Sequence, residues 1–333
     1  MAETLVEVTR GTIVESIHKG DIAVVNAQGE LLHHLGNPEK VTYLRSCAKP
    51  FQAIPFVRSG AAERLAFTAA ELAIACASHY AEPHHLATIN SMLQKIGLRP
   101  AHILGGIVTS LKPSYALELA RKQVSLDPLY SDCSGKHAAM LAACIDQKYP
   151  IDTYLARTHP LQEAILEAVA VFCNYDKAAI AIGTDGCSVP VHALPLRNIA
   201  LGYAQLADPS RLAISYQKAA HTLFDAMLAH PEMLSGTGGF CSALTAVQQQ
   251  PIIGKIGAEG IYAVGIREKG IGIAIKMEAG NMAMLAPVVM EVLQHLNYLE
   301  EKSYQQLAHY HTQNNVNDVG TIVGEIRPNF TLS

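Results

Sequence analysis

A serine followed three residues later by a lysine, Ser46-Cys-Ala-Lys49, closes an apolar, β-branched run from Val41 and leads into helix-forming sequence at Phe51. A serine hydroxyl becomes a nucleophile only when a base takes its proton. A lysine is that base only if its surroundings push its pKa well below about 10.4. With Ser46 at a helix entrance, Lys49 comes round to the same side one turn later. This is the Ser-x-x-Lys arrangement of serine acyl-transfer enzymes. A helix-capping serine with a solvated lysine accounts for the same four residues. Pro50 has no N–H for the Ser46 carbonyl and biases Lys49 away from helical angles, which points to a tight turn rather than regular helix.

Other constellations lie further along. Gly254-Lys-Ile-Gly257-Ala-Glu-Gly260 leads into a strand and sets the Lys255 ammonium close to backbone that can approach a ligand. Penicillin-recognising enzymes use Lys-Thr-Gly in this way, although here Ile256 takes the hydroxyl position. The plainer alternative is a lysine flanking a hairpin. Ser78, at a predicted helix end, offers a second hydroxyl able to relay protons beside a lysine, or simply one bonded to backbone. The order Ser-x-x-Lys, isolated Ser, then Lys-x-Gly matches a serine acyl-transfer scheme, and that order carries more than any single piece. Cys133 and Cys187, with Lys136 one helical turn after Cys133, offer two thiolates for zinc. The close Cys-x-x-Cys spacing of a four-ligand structural site is absent. Cys47, Cys76, Cys144, Cys173 and Cys241 read as small buried hydrophobes. The glycine-rich turns at 183–186 and 235–239 lack nucleotide-binding spacing, and offer backbone N–H groups for a carboxylate or oxyanion. Asp185 is placed to bind an α-ammonium group. His79, His84 and His85 read as solvated or core histidines.

These residues need elements to hold them. Alternation predicts strands at 5–8, 11–17 and 22–32, with a turn near 27–29. Helical periodicity follows at 68–76, with Thr68 as N-cap and Glu71 completing a capping box, and at 82–96, 113–122, 138–146 and 160–174. A short buried strand at 178–182 delivers Gly183 to Ser188. Helices at about 194–206 and 209–229 precede strands at 242–247, 261–266 and 271–277, and a helix at 281–296 closes the chain. The fold class is α/β of the α+β kind. The N- and C-terminal strands share one antiparallel or mixed sheet flanked by helices, with a helical middle. We expect one catalytic unit over 1–333, its sheet lobe at about 1–50 plus 235–333 and its helical lobe at about 51–234, with a site in the cleft between. The 333 residues, 50% hydrophobic and 16% charged, can bury a large core. A net charge of −4 without a basic run argues against nucleic acid and anionic membranes as partners. The absence of a basic-then-apolar leader or a span-length apolar run leads us to expect a cytoplasmic protein with seven reduced cysteines.

Several blocks together resemble the asparaginase II family, the rhizobial or thermolabile type. They are Arg45-Ser-Cys-Ala-Lys-Pro-Phe51, Ala77-Ser-His79 with Glu82-Pro83, Cys133-Ser-Gly-Lys-His137, Gly183-Thr-Asp-Gly-Cys187, Gly236-Thr-Gly238, Lys255-x-Gly-Ala-Glu-Gly260 and Glu278-x-Gly-Asn281. They run in the family's order over nearly the whole chain. The resemblance implies an amidohydrolase converting L-asparagine to L-aspartate and ammonia, a fold like serine β-lactamases and glutaminases, and a homodimer. By position, Ser46 with Lys49 and Ser78 with Lys255 look like the family's two Ser–Lys tandems. Cys133, Lys136 and Cys187 look like its zinc-binding set, and Arg45, His137, Asp185 and Gly186 like substrate contacts. The chain departs from the family at Tyr80-Ala81, Ile256, Gly239 and Ala279, none of them in the Ser–Lys pairs. The resemblance leaves open which serine attacks. Rival functions are hydrolysis of glutamine or another small amide, cysteine chemistry through Cys47 or Cys133 with His137, and catalytically silent amino-acid binding.

Overall fold

The computed structural model of the chain describes residues 1–247 and 250–332. The chain opens with strands β1 (Glu3–Arg10), β2 (Ile13–Asn26), β3 (Leu31–Leu35) and β4 (Val41–Tyr43). Helices α1 (Lys49–Arg58), α2 (Ala61–Arg64), α3 (Ala69–Ala75), α4 (Pro83–Lys95), α5 (Pro113–Arg121), α6 (Ser134–Gln147) and α7 (Pro160–Phe172) follow. Strands β5 (Ala181–Thr184) and β6 (Pro190–Pro195) lead to helices α8 (Leu196–Ala207), α9 (Ile214–Ala229) and α10 (Phe240–Thr245). Strands β7 (Ile252–Gly257), β8 (Ile261–Ile266) and β9 (Ile271–Met277) come next, then α11 (Leu285–His295), α12 (Glu301–His311), β10 (Gln313–Val316) and β11 (Ile322–Pro328).

The main sheet is antiparallel, in the order β10-β11-β1-β2-β9-β8-β7, with β3 also paired to β2. N-terminal and C-terminal strands therefore share one sheet, and the fold is α+β. Every residue of β8 is buried, so both faces of the sheet are covered there. Helix α8 packs on β2, β8 and β9, and α11 on β1, β8, β9 and β11. The approach of α8 depends on the cross-strand pair Gly265 and Gly272. A Cβ on Gly272 would run into the Ala200 carbonyl, so only glycine lets the helix backbone lie this close. Leu5, Ile22, Val24, Ile273, Ile275, Val288 and Val292 fill the layers around the sheet with zero or 1% exposure.

Three expectations from periodicity are corrected. The buried strand expected at 178–182 is instead a 3-10 turn at Lys177–Ala179 followed by β5, whose residues are exposed or half-buried. Residues 242–247 are not a strand; Phe240–Thr245 forms a short helix, leaving Gly239 as its N-cap. The chain also does not close on the helix near 281–296, because α12 and the β10–β11 hairpin follow it, and β11 pairs with β1. The Thr68–Glu71 capping box is present, with both reciprocal hydrogen bonds made. No described helix is long and apolar enough to cross a membrane.

A second, three-stranded sheet, β4-β6-β5, is small but decisive for position. Strand β6 pairs with β4 on one side and β5 on the other, so the chain leaving β4 at Arg45 meets the chain leaving β5 at Asp185.

Candidate active site

Ser46 lies in a single 3-10 turn, Arg45–Ala48, and α1 starts at Lys49 with Pro50 in its first turn. A proline without an N–H is tolerated there, because first-turn donors have no helical partner. Arg45 enters the turn at φ 48°, a left-handed conformation uncommon for a residue with a side chain. Cys47 ties the turn to β7, its Sγ 3.1 Å from the Lys255 carbonyl, and Tyr203 Oη from α8 donates to the Cys47 carbonyl at 2.9 Å. Ser78 sits just beyond α3 in extended chain, held by backbone bonds from Ser78 to Leu234 and from Tyr80 to Ser235.

Three elements distant in sequence converge on one hydroxyl. Ser78 Oγ lies 2.9 Å from Lys49 Nζ and 2.8 Å from Lys255 Nζ, and all three residues are buried. Lys49 also donates to the Ala77 carbonyl at 2.5 Å, and to the Asp132 carbonyl and carboxylate at 3.2 and 3.3 Å. Lys49 thus bonds Ser78, not Ser46. The Ser46 hydroxyl is half-buried and has no hydrogen-bond partner among the described residues; like Ser78, it lines a cavity of about 280 Å³.

The two lysines are in opposite electrostatic situations. Burial disfavours charge on both. At Lys49 the single negative charge of the neighbouring Cys133–Cys187 thiol pair and the Asp132 carboxylate outweigh burial and hold the pKa above the ordinary value. Lys255 has little to offset burial and faces the positive charge of Lys49, so its pKa falls to about 8. One lysine is fixed as an ammonium, and the other is a base near neutral pH. Burial works against the Asp132 carboxylate, but the adjacent Lys49 more than compensates and keeps it ionised.

Arg45 Nε and Asp185 Oδ1 form an ion pair at 2.8 Å on the same cavity, and the Gly186 N–H donates to that oxygen at 2.9 Å. Cys133 and Cys187 also line it. Lys136 Nζ lies 2.9 Å from Cys187 Sγ. The hydrogen bond from the Cys133 thiol, with the Lys136 charge beside it, holds Cys187 well below the ordinary thiol range, whereas Cys133 as donor is pushed up. The two buried sulfurs suit a zinc ion in type, whereas Lys136 is held protonated by the sulfur charge beside it and must give up its proton before it can be a ligand. His137 is fully buried next to them. Its Nδ1 meets Tyr154 Oη at 2.7 Å, and its Nε2 has no partner among the described groups. Burial lowers its pKa.

Two residues in this arrangement escaped the motif reading. Asp132 stands immediately before the Cys133–His137 block, and that position was the available signal. Tyr154, whose hydroxyl also accepts from the Leu104 N–H at 2.9 Å, had no local signal at all. The five remaining cysteines are free and buried. Glu82, His84 and His85 place possible ligand atoms within 4.8 Å of one another. That trio is already engaged, however. His85 uses both ring nitrogens, at 3.1 Å each, on Glu82 N and the Glu232 carbonyl, and the Glu82 carboxylate accepts from Thr237 and Lys112. Two of the departures, Tyr80 and Gly239, pack against each other: a Cβ on Gly239 would come within 2.8 Å of Tyr80 Oη.

A family model described as L-asparaginase II matches residues 6–328. No curated protein matches the sequence. Among solved structures the chain is similar to a β-lactamase from Mycobacterium bovis, at 15% identity and TM-score 0.42, over 83% of this chain and 94% of that one. It is also similar to a D-alanine carboxypeptidase from Burkholderia cenocepacia, at 13% identity and TM-score 0.36, over 88% and 92%.

Proposed function

Because the chain belongs to the L-asparaginase II family, we propose that it hydrolyses L-asparagine to L-aspartate and ammonia through a serine acyl-enzyme. The observation that carries this reading is the Ser78 hydroxyl held between a charged Lys49 and a Lys255 of pKa about 8, on the cavity that Ser46 also lines. Ser46 is the nucleophile, as the half-buried hydroxyl left without a protein partner. It is not hydrogen-bonded to Ser78 in the free enzyme, so proton transfer between the two would occur only with substrate bound. As its Oγ bonds to the side-chain amide carbon, its proton would then reach Ser78, and that of Ser78 would pass to neutral Lys255. Lys49 stays an ammonium and stabilises charge on Ser78 Oγ. When the carbon–nitrogen bond breaks, the relay runs backwards and delivers a proton to the departing ammonia. Water then attacks the ester with the same base.

Arg45 would receive the α-carboxylate of the substrate and Asp185, fixed by the Gly186 N–H, its α-ammonium; His137, expected as a third substrate contact, is fully buried and does not line the cavity. Cys133, Lys136 and Cys187 would hold a zinc ion, which when bound supplies a fixed positive charge able to orient a substrate carboxylate.

A second assignment, Ser78 as nucleophile, is favoured by its direct contact with both lysines. A diazoketone analogue of asparagine, followed by peptide mapping, separates the two: the label falls on Ser46 in the first case and on Ser78 in the second. Ammonia release from asparagine and glutamine tests the function itself. Ser46→Ala with wild-type turnover refutes the first assignment. No ammonia from either amide refutes the hydrolase.

A further inference from the structure

The active-site cavity is larger and more apolar than asparagine alone requires. Its volume of about 280 Å³ approaches the roughly 300 Å³ at which pockets begin to accept drug-sized ligands, which are far larger than a free amino acid. Its charged lining side chains are Arg45 and Asp185, paired with each other, Asp132, bonded to Lys49, and the Cys187 thiolate, bonded to Lys136. Much of the remaining wall is hydrocarbon, drawn from three separate segments: Val108 and Leu111 before α5, Ile256 on β7, and Met282 after β9. Val108, Leu111 and Met282 are 45%, 48% and 41% exposed, large apolar side chains left facing solvent on one cavity. Scattered exposed hydrophobes need no explanation, but a group gathered on a catalytic cavity marks a surface that a ligand covers. The head-group anchors are polar, so this wall has no counterpart on asparagine, whose amide ends in NH₂.

We propose that Val108, Leu111, Ile256 and Met282 form a leaving-group subsite, and that the enzyme also hydrolyses L-aspartyl β-amides whose nitrogen carries an uncharged aromatic or branched apolar group. This rests on the amidohydrolase function proposed above and widens its substrate class. The step is the same: Ser46 Oγ bonds to the β-carbonyl carbon, the carbon–nitrogen bond breaks, and the departing amine takes the proton returned by Ser78 and Lys255. Water completes hydrolysis to aspartate and the free amine. The wall places no charged side chain beside the substituent, so an amine bearing its own carboxylate, as in a β-aspartyl peptide, is a poor fit.

The test uses the full-length enzyme with L-aspartic acid β-(p-nitroanilide), followed by p-nitroaniline absorbance, beside asparagine, followed by ammonia. The expected result is hydrolysis of both, with kcat/KM for the anilide at least a tenth of that for asparagine. Leu111→Asn places a polar side chain on the wall at a half-exposed position, where the fold tolerates it. It should lower the anilide-to-asparagine ratio of kcat/KM about tenfold, the low end of what one lost apolar contact does in a specificity pocket. Asparagine hydrolysis with no detectable anilide hydrolysis overturns the subsite and leaves the amidohydrolase standing. So does an unchanged ratio in Leu111→Asn. Failure on both substrates removes the amidohydrolase function, and the subsite with it.

Discussion

Replacing Lys49 by methionine should change the proton affinity of a different residue, Lys255. Both ammonium nitrogens bond Ser78 Oγ, at 2.9 and 2.8 Å, so on a near-tetrahedral oxygen they stand about 4.6 Å apart. At an effective dielectric of about 20, two positive charges at that distance repel by about 3–4 kcal/mol. That corresponds to a few-hundredfold change in proton affinity. It is an upper limit, because it would alone account for the whole fall of Lys255 from 10.5 to about 8, of which burial is the larger share. Burial, the largest influence on Lys255, survives the substitution, so its pKa should climb from about 8 only part of the way to 10.5, settling between about 9 and 10. Neutral Lys255 is the base, so kcat/KM should rise with pH through this pKa. The assay is a pH profile of kcat/KM from ammonia release between pH 6 and 11. Wild type should show an acidic limb near pH 8. Lys49→Met should be slower throughout, because Ser78 loses a charged donor, with its limb displaced upward by one to two pH units. A limb that stays at 8 in the variant would refute the coupling. A wild-type profile flat across pH 7–9 would remove Lys255 as the base.

Lys255 also makes the protein's stability depend on pH. Its proton is bound more tightly in the unfolded chain, so the charged form costs about 3 kcal/mol of stability in full below pH 8, a cost relieved between about 8 and 10.5. Lys255→Met should therefore be more stable than wild type at pH 7 by denaturant titration, with the gap closing as pH rises through that window; a pH-independent gap would contradict this origin. Tyr154→Phe should cost about 1–3 kcal/mol by the same measurement, because it strands both the Leu104 N–H and His137 Nδ1 in the interior. A loss below about 0.5 kcal/mol would show that water reaches them.

What was readable in the sequence divides along a physical line. Long amphipathic helices such as 82–96 and 160–174 declare themselves by period, and the capping box at Thr68 by local hydrogen bonding. Short elements do not. Phe240–Thr245 is six residues, less than two helical turns, too short for a helical period to stand out, and the mostly apolar Ser242-Ala-Leu-Thr-Ala-Val passes for a buried strand. The β10–β11 hairpin is half-exposed and begins Gln313-Asn-Asn, so it carries little apolar pattern; pairing of β11 with β1, more than 300 residues away in sequence, defines it. The candidate site divides in the same way. Its residue types and their order were legible, but their partners were not. Local spacing pairs Ser46 with Lys49, because residues three apart share a helix face. Ser46 and Lys49 do share a turn, with the Lys49 N–H bonded to the Ser46 carbonyl, but Lys49 Nζ runs inward to Ser78 rather than across to the Ser46 hydroxyl. What makes Lys255 the softer base is equally non-local: Asp132, more than 80 residues beyond Lys49, and the negative charge of the Cys133–Cys187 thiol pair hold that lysine charged. A Ser-x-x-Lys motif therefore shows that a lysine is available, while the fold determines which hydroxyl it serves and in which protonation state.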